Sequence, residues 1–232
     1  MAAVLIGVFL LVTGQKIPFR SIKKELALLL LSGMAMGFNW ILLFEAYRYT
    51  TVSVATLSYY FAPVIVTVAC PLLFREKLTG KQILCFLGST AGLVLITGIL
   101  FGLGAAVLYA TVVLLNKFIK NVEGIHRTFL QFLAAILVLV PYVAMTSGVT
   151  VGGMDGMGWI CLLVVGLIHT GITYCMYFSS LKELPGQKAA ILSYLDPLVA
   201  VLISVTILHE PMTAVQAIGG VLILGFTLWN EL

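Results

Sequence analysis

The residues from Gln82 to Asn116 contain no Asp, Glu, Lys or Arg, and that single stretch removes most of what a chain could fold into. An apolar helix needs about 20 residues to cross a bilayer. The stretch is too long for one crossing, so it divides at Gly98, Gly102 and Gly104 into two. Comparable runs recur along the whole chain and give nine segments, a to i, at roughly 1 to 14, 26 to 47, 51 to 74, 82 to 98, 99 to 118, 128 to 147, 157 to 178, 189 to 208 and 213 to 230. Runs such as Leu26 to Leu31 and Ile65 to Ala69 do not alternate, which excludes a transmembrane barrel. Only 9% of the 232 residues are charged, against about 25% in a soluble domain. Nine spans would use about 180 residues. What is left is too short for a soluble domain, so a soluble enzyme, a nucleic-acid binder and a disulfide scaffold are all excluded. The expectation is an all-α integral membrane protein with the lipid bilayer as its surroundings.

The scarce charges report orientation. With segment a starting outside, loops a–b, c–d, e–f and g–h carry 12 of the 13 Lys+Arg residues, and only Arg48 lies opposite. The positive-inside rule then makes those loops and the C-terminus cytoplasmic. Segment a has no basic residues before it and no A-x-A site after it, so it reads as a retained span rather than a signal peptide.

Sliding the chain against itself by 134 residues brings Gly37, Phe44, Ala55, Tyr60, Pro63, Glu76, Thr79 and Gln82 onto Gly171, Phe178, Ala189, Tyr194, Pro197, Glu210, Thr213 and Gln216. Both T-x-x-Q elements are capping boxes, predicted to start segments d and i. Glu76 and Glu210 precede them, where a helix dipole favours a carboxylate, and read as structural acids. Segment c matches segment h, five spans later, so the halves run in opposite directions. Such inverted repeats place a substrate site near the midplane. Residues 1–98 form the first repeat and 99–232 the second, as four helices plus five. Carried backward, the offset gives segment e no counterpart, and the expectation is a ten-helix architecture without its first helix.

The residues 37–98, with SYYFAPVIVTVACPLLFREKLTGKQ, and Gly166 to Leu232, with SYLDPLVAVLISVTILHEPMTAVQ, resemble the first and C-terminal halves of an EamA-type member of the drug/metabolite transporter superfamily. The resemblance implies ten helices as five plus five, both ends cytoplasmic, and a central cavity lined by segments b, c, e, g and h. It also implies alternating access, with export of a small organic metabolite such as an amino acid or amine, in a bacterial inner membrane. Lipophilic-cation export and a non-transporting fragment are the alternatives. The family often has Glu before the second proline, where this chain has Asp196.

Candidate cavity residues follow from polarity inside apolar spans. Asp196 stands eight residues into segment h, where an acid costs about 2.5 to 3.5 kcal/mol on insertion scales. Pro197 beside it leaves the carbonyl of Ser193 without a helical donor. Asp196 is the candidate for contact with an amine or a coupling proton. Pro63 is the matching kink in segment c, with Thr56, Tyr60 and Thr67 at helical spacing. Tyr59 and Tyr60 are stacking candidates, and Tyr194 mirrors Tyr60. His169, Thr170, Thr173 and Tyr174 make a polar stripe on segment g. Asn39 and Trp40 occupy the offset positions of Thr173 and Tyr174, and Tyr109 shares a face with Asn116. The proposed lining is therefore Asn39, Trp40, Tyr59, Tyr60, Tyr109, His169, Tyr174, Ser193, Tyr194 and Asp196. Glu45 and Arg48 read as an i, i+3 interfacial pair. Cys70, Cys85, Cys161 and Cys175 form no C-x-x-C, so neither metal nor disulfide is expected. The G-x-x-x-G spacings at Gly33/Gly37 and Gly88/Gly92 point to packing within the chain, although a homodimer would use the same chemistry. No P-loop, H-E-x-x-H or G-x-S-x-G occurs, so neither an enzymatic activity nor a cofactor is expected.

Overall fold

The structure is a computed structural model that describes residues 2–15, 17, 22–74, 79–95, 100–119, 122, 124–146, 153, 155–172 and 195–232. Among the described residues there is no strand. The helices are α1 (Ala2–Val12), α2 (Leu26–Tyr49), α3 (Val52–Tyr59), α4 (Ala62–Phe74), α5 (Gly80–Leu95), α6 (Leu100–Phe118), α7 (Gly124–Thr146), α8 (Gly156–Leu163), α9 (Leu195–Thr206) and α10 (Ala214–Glu231). Four described stretches are long and apolar enough to cross a membrane, namely Leu26–Tyr49, Val52–Phe74, Phe101–Phe118 and Gly124–Thr146, and the others are shorter apolar helices. The protein is an all-α, multi-pass integral membrane protein.

Two segments are not single regular helices, and in segment c the irregularity falls beside Pro63, where a kink is expected. Segment c is interrupted: α3 ends at Tyr59, residues 60 and 61 form a turn, and α4 begins at Ala62. The cause is Pro63, whose ring nitrogen cannot donate to the carbonyl of Tyr59. Tyr60 N–H still reaches Thr56 O at 3.0 Å, but Phe61 N–H pairs with Ser58 O at 3.2 Å, a tighter i, i+3 bond that closes the helix. Segment g runs as α8 to Leu163 and then widens into a π-helix over Val164–Ile172.

The described residues fall into two compact units. The first comprises residues 1–37 and 115–184. There a Cβ on Gly33 would stand 2.5 Å from the carbonyl oxygen of Gln131, and one on Gly37 3.0 Å from that of Ala135. The G-x-x-x-G of α2 thus lets its backbone lie directly on α7. Gly7 of α1 seats the ring of Phe129 in the same way, at 3.3 Å. A buried amide network completes this unit: Gln131 Nε2 donates to Ser32 Oγ at 2.7 Å and to Asn116 Oδ1 at 2.6 Å. Arg127 donates to the carbonyls of Ile119 and Val122 at 2.8 and 3.1 Å, satisfying oxygens just past the end of α6, where no further helical turn supplies donors.

The second unit comprises residues 38–114 and 185–232. Both capping boxes form within it. Thr79 N–H donates to Gln82 Oε1 at 2.9 Å while Gln82 N–H donates to Thr79 Oγ1 at 3.3 Å. Thr213 and Gln216 repeat the exchange at 2.9 and 3.2 Å. The helices they start, α5 and α10, pack closely: Gly88 lies against the ring of Phe226, and a Cβ on Gly92 would meet Gly219 O at 2.6 Å and Leu222 Cβ at 2.8 Å. An offset of 134 carries Gly88 to Leu222 and Gly92 to Phe226, so each glycine meets the counterpart of the other. Reciprocal contacts of this kind mark a two-fold related pair. Val54, Leu57, Phe61, Val64, Leu93 and Ile223 form the core between α3, α4, α5 and α10.

Candidate substrate site

The second unit holds the aromatic cluster. Small residues at the start of α6 bring it against its neighbours: a Cβ on Gly102 would stand 2.8 Å from Ser58 Cβ and 3.3 Å from Ala55 O, and one on Gly104 2.9 Å from a Leu42 methyl. Two turns beyond Gly102 on the same face, Tyr109 meets the end of α3. Its ring centroid is 5.2 Å from that of Tyr59, and Tyr59 lies 5.9 Å from Tyr60 in an edge-on arrangement. Ala62, Ala106 and Ala110 pack one turn further along. Three tyrosines thus gather where the Val52–Phe74 span is broken. Broken spans are tolerated at membrane depth only where protein or an aqueous cavity surrounds them. The ring faces can stack on a planar solute or attract a cation.

The other candidates divide. Asn39 is 1% exposed, and its Nδ2 donates to the carbonyl of Ala105 at 2.6 Å. It bolts α2 to α6 one turn before Tyr109, a role that polarity alone did not reveal. Trp40 is half-buried on the same helix. Asp196 is exposed in the first turn of the described α9, and Pro197 beside it is buried. Tyr174, Ser193 and Tyr194 lie outside the described residues, and His169 is described only as part of the π-helical backbone. In the first unit, Asn116 is engaged with Gln131 and with Ser32. Thr67 is tied by Asn230 Nδ2 at 3.2 Å and donates to Pro63 O at 3.0 Å. Glu45 and Arg48 form the expected pair at 3.1 Å, with the arginine largely exposed, so it contributes about 0 to 1 kcal/mol.

Glu210 departs from the expected geometry. Its hydrogen bonds reach α3 and α9. The carboxylate accepts the backbone N–H of Val52 at 2.8 Å, at the start of α3, and the hydroxyl of Ser204. Glu76, its counterpart, lies outside the described residues. Ser53, Ser204 and Gln131 are functional side chains that no motif in the sequence marks. Each is a buried polar side chain inside an apolar run, and that exception to composition was the available signal.

Among the described residues, close glycine contacts, a broken span and aromatics at the break belong to a helical membrane protein. The chain belongs to the EamA-like transporter family, which matches it twice, over residues 1–98 and 96–230. It is 30% identical over 236 residues to the uncharacterized transporter YxxF of Bacillus subtilis (strain 168), covering 96% of this chain and 75% of the relative. An uncharacterized transporter of Archaeoglobus fulgidus is 29% identical over 80% of this chain and 70% of its own length. A crystal structure superposes over the whole chain and 85% of its own with a TM-score of 0.63 at 17% identity, which supports the fold alone. The protein is a membrane transporter of the drug/metabolite superfamily.

Proposed function

We propose that this chain is a secondary exporter of a small organic metabolite carrying an amine, such as an amino acid, moved by alternating access around a midplane cavity. The observation that carries this reading is the tyrosine cluster at the break. Tyr59 and Tyr60 stand at the C-terminal end of α3, the negative end of its dipole, and Tyr109 adds a third ring 5.2 Å from Tyr59. Half-helix ends at a span break are the usual cation-facing elements of such carriers. Negative helix end and π-faces together favour a cationic headgroup over an anionic one. The reciprocal packing of α5 on α10 supports the inverted repeat that alternating access requires. Asp196, in the same unit, supplies the acid that neutralises the amine or carries the coupling proton. The basic loops support a cytoplasmic C-terminus, and the Bacillus subtilis relative supports a bacterial cell membrane as its location.

Counterflow in proteoliposomes with radiolabelled amino acids and polyamines tests this. Saturable exchange of one of them, lowered about tenfold or more by Tyr59→Ala and made independent of pH by Asp196→Asn, is the expected result. No exchange, with quaternary ammonium compounds accumulated instead, would replace the metabolite reading by lipophilic-cation export.

A further inference from the structure

The first helical amide of α3 has no partner within its own helix. Thr51 caps the N–H of Val54 at 3.3 Å, but the N–H of Val52 is taken by Glu210, 158 residues along the chain, at 2.8 Å. The same carboxylate oxygen accepts from Ser204 Oγ, which lies 3.2 Å from Ser53 Oγ, and Ser53 is 3.1 Å from Thr51 Oγ1. Ser53 and Ser204 are fully buried. A line of hydroxyls therefore runs from α9 into the first turn of α3, with one carboxylate at the helix's positive end. The turn that delivers it is specialised: His209 holds a left-handed φ of 53°, and Glu210 N–H bonds back to Ser204 O at 3.0 Å. The other end of α3 carries Tyr59 and Tyr60. Between the two ends lie Ser53 to Ser58, all buried, in a rod about 12 Å long. A rod that short transmits a shift at its start to the tyrosines at its end.

We propose that Glu210 is a positioning residue: it latches the first turn of α3 to the α9–α10 turn and thereby sets where Tyr59 and Tyr60 stand. Releasing the latch frees the half-helix. The latch itself stands on these distances, and only its consequence for substrate rests on the proposed function, so a labelling experiment tests it with no substrate present.

The test uses the full chain in lipid nanodiscs, with Cys70, Cys85, Cys161 and Cys175 replaced by alanine and Thr56→Cys as a reporter on α3. Its rate of modification by 2-aminoethyl methanethiosulfonate reads how often the half-helix comes free. Removing a charge-assisted bond should speed labelling about tenfold in Glu210→Ala. Glu210→Asp, which keeps the charge but falls one methylene short, should behave like the alanine variant. Glu210→Gln, which keeps an acceptor at the right reach, should label about threefold faster than wild type. Thr213→Ala weakens the neighbouring cap of α10 and should lower the melting temperature while leaving the labelling rate within about twofold. If Glu210→Ala fails to fold, the Asp and Gln variants decide. Wild-type labelling in Glu210→Asp, equal rates in all variants, or acceleration by Thr213→Ala as large as by Glu210→Ala would each overturn the latch.

Discussion

Two regions of the second unit are built on opposite rules. Between α5 and α10, glycines bring the backbones into direct contact, and the polar groups, Ser89 Oγ and Thr227 Oγ1 at 3.4 Å, only embroider a packed surface. Around α3, polar groups carry the contacts: a carboxylate and hydroxyls at one end, phenol rings at the other, and a break at Pro63. A close-packed glycine contact has one geometry and no soft coordinate. A two-turn helix held by hydrogen bonds at its start and by rings at its end has several. The first region is built as scaffold, and the second is the part that the proposed function assigns to cargo.

The sharpest way to break that contrast is to damage the scaffold. Gly92→Leu would force a branched side chain into the carbonyl of Gly219, and we expect a loss of about 3 kcal/mol or more, seen as a collapse of the monodisperse peak and of the melting temperature. In the α3 region the expected pattern is reversed. Tyr109→Ala should leave the melting temperature within a few degrees yet cut counterflow about tenfold, while Tyr109→Phe keeps most of it. Asn39→Ala sits between the two classes. Removing the donor to Ala105 O should cost about 1 to 2 kcal/mol and lower flux as well, since the same carbonyl lies one turn before Tyr109. Thermal unfolding beside flux separates the two effects. The smallest change is His209→Gly, which relieves the left-handed backbone and should raise stability by up to about 1 kcal/mol.

What could be read from the sequence follows the range of the interaction. The capping boxes Thr79/Gln82 and Thr213/Gln216 are contacts three residues apart and were legible as a motif. The break near Pro63 was legible because proline removes its own donor. The packing at Gly33/Gly37 and Gly88/Gly92 was legible as a capacity, and the structure supplies the partners Gln131, Ala135, Phe226 and Gly219. Glu210 was placed as an acid near a helix start, but the helix it serves begins at Val52, a pairing that no local pattern encodes. Asn39 shows the same limit: its partner, the carbonyl of Ala105, lies 66 residues along the chain on another helix, and no local pattern encodes that bond. The interruption at residues 60 and 61 also changes how Thr56, Tyr60 and Thr67 relate, because one helical face no longer joins them.

Tyr59 carries the central claim, since it stands at the end of the latched half-helix and touches both other rings. Counterflow by Tyr59→Ala, set beside its melting temperature, tests that claim most directly. Flux should fall about tenfold or more with the melting temperature within a few degrees of wild type. Wild-type flux in Tyr59→Ala would contradict it.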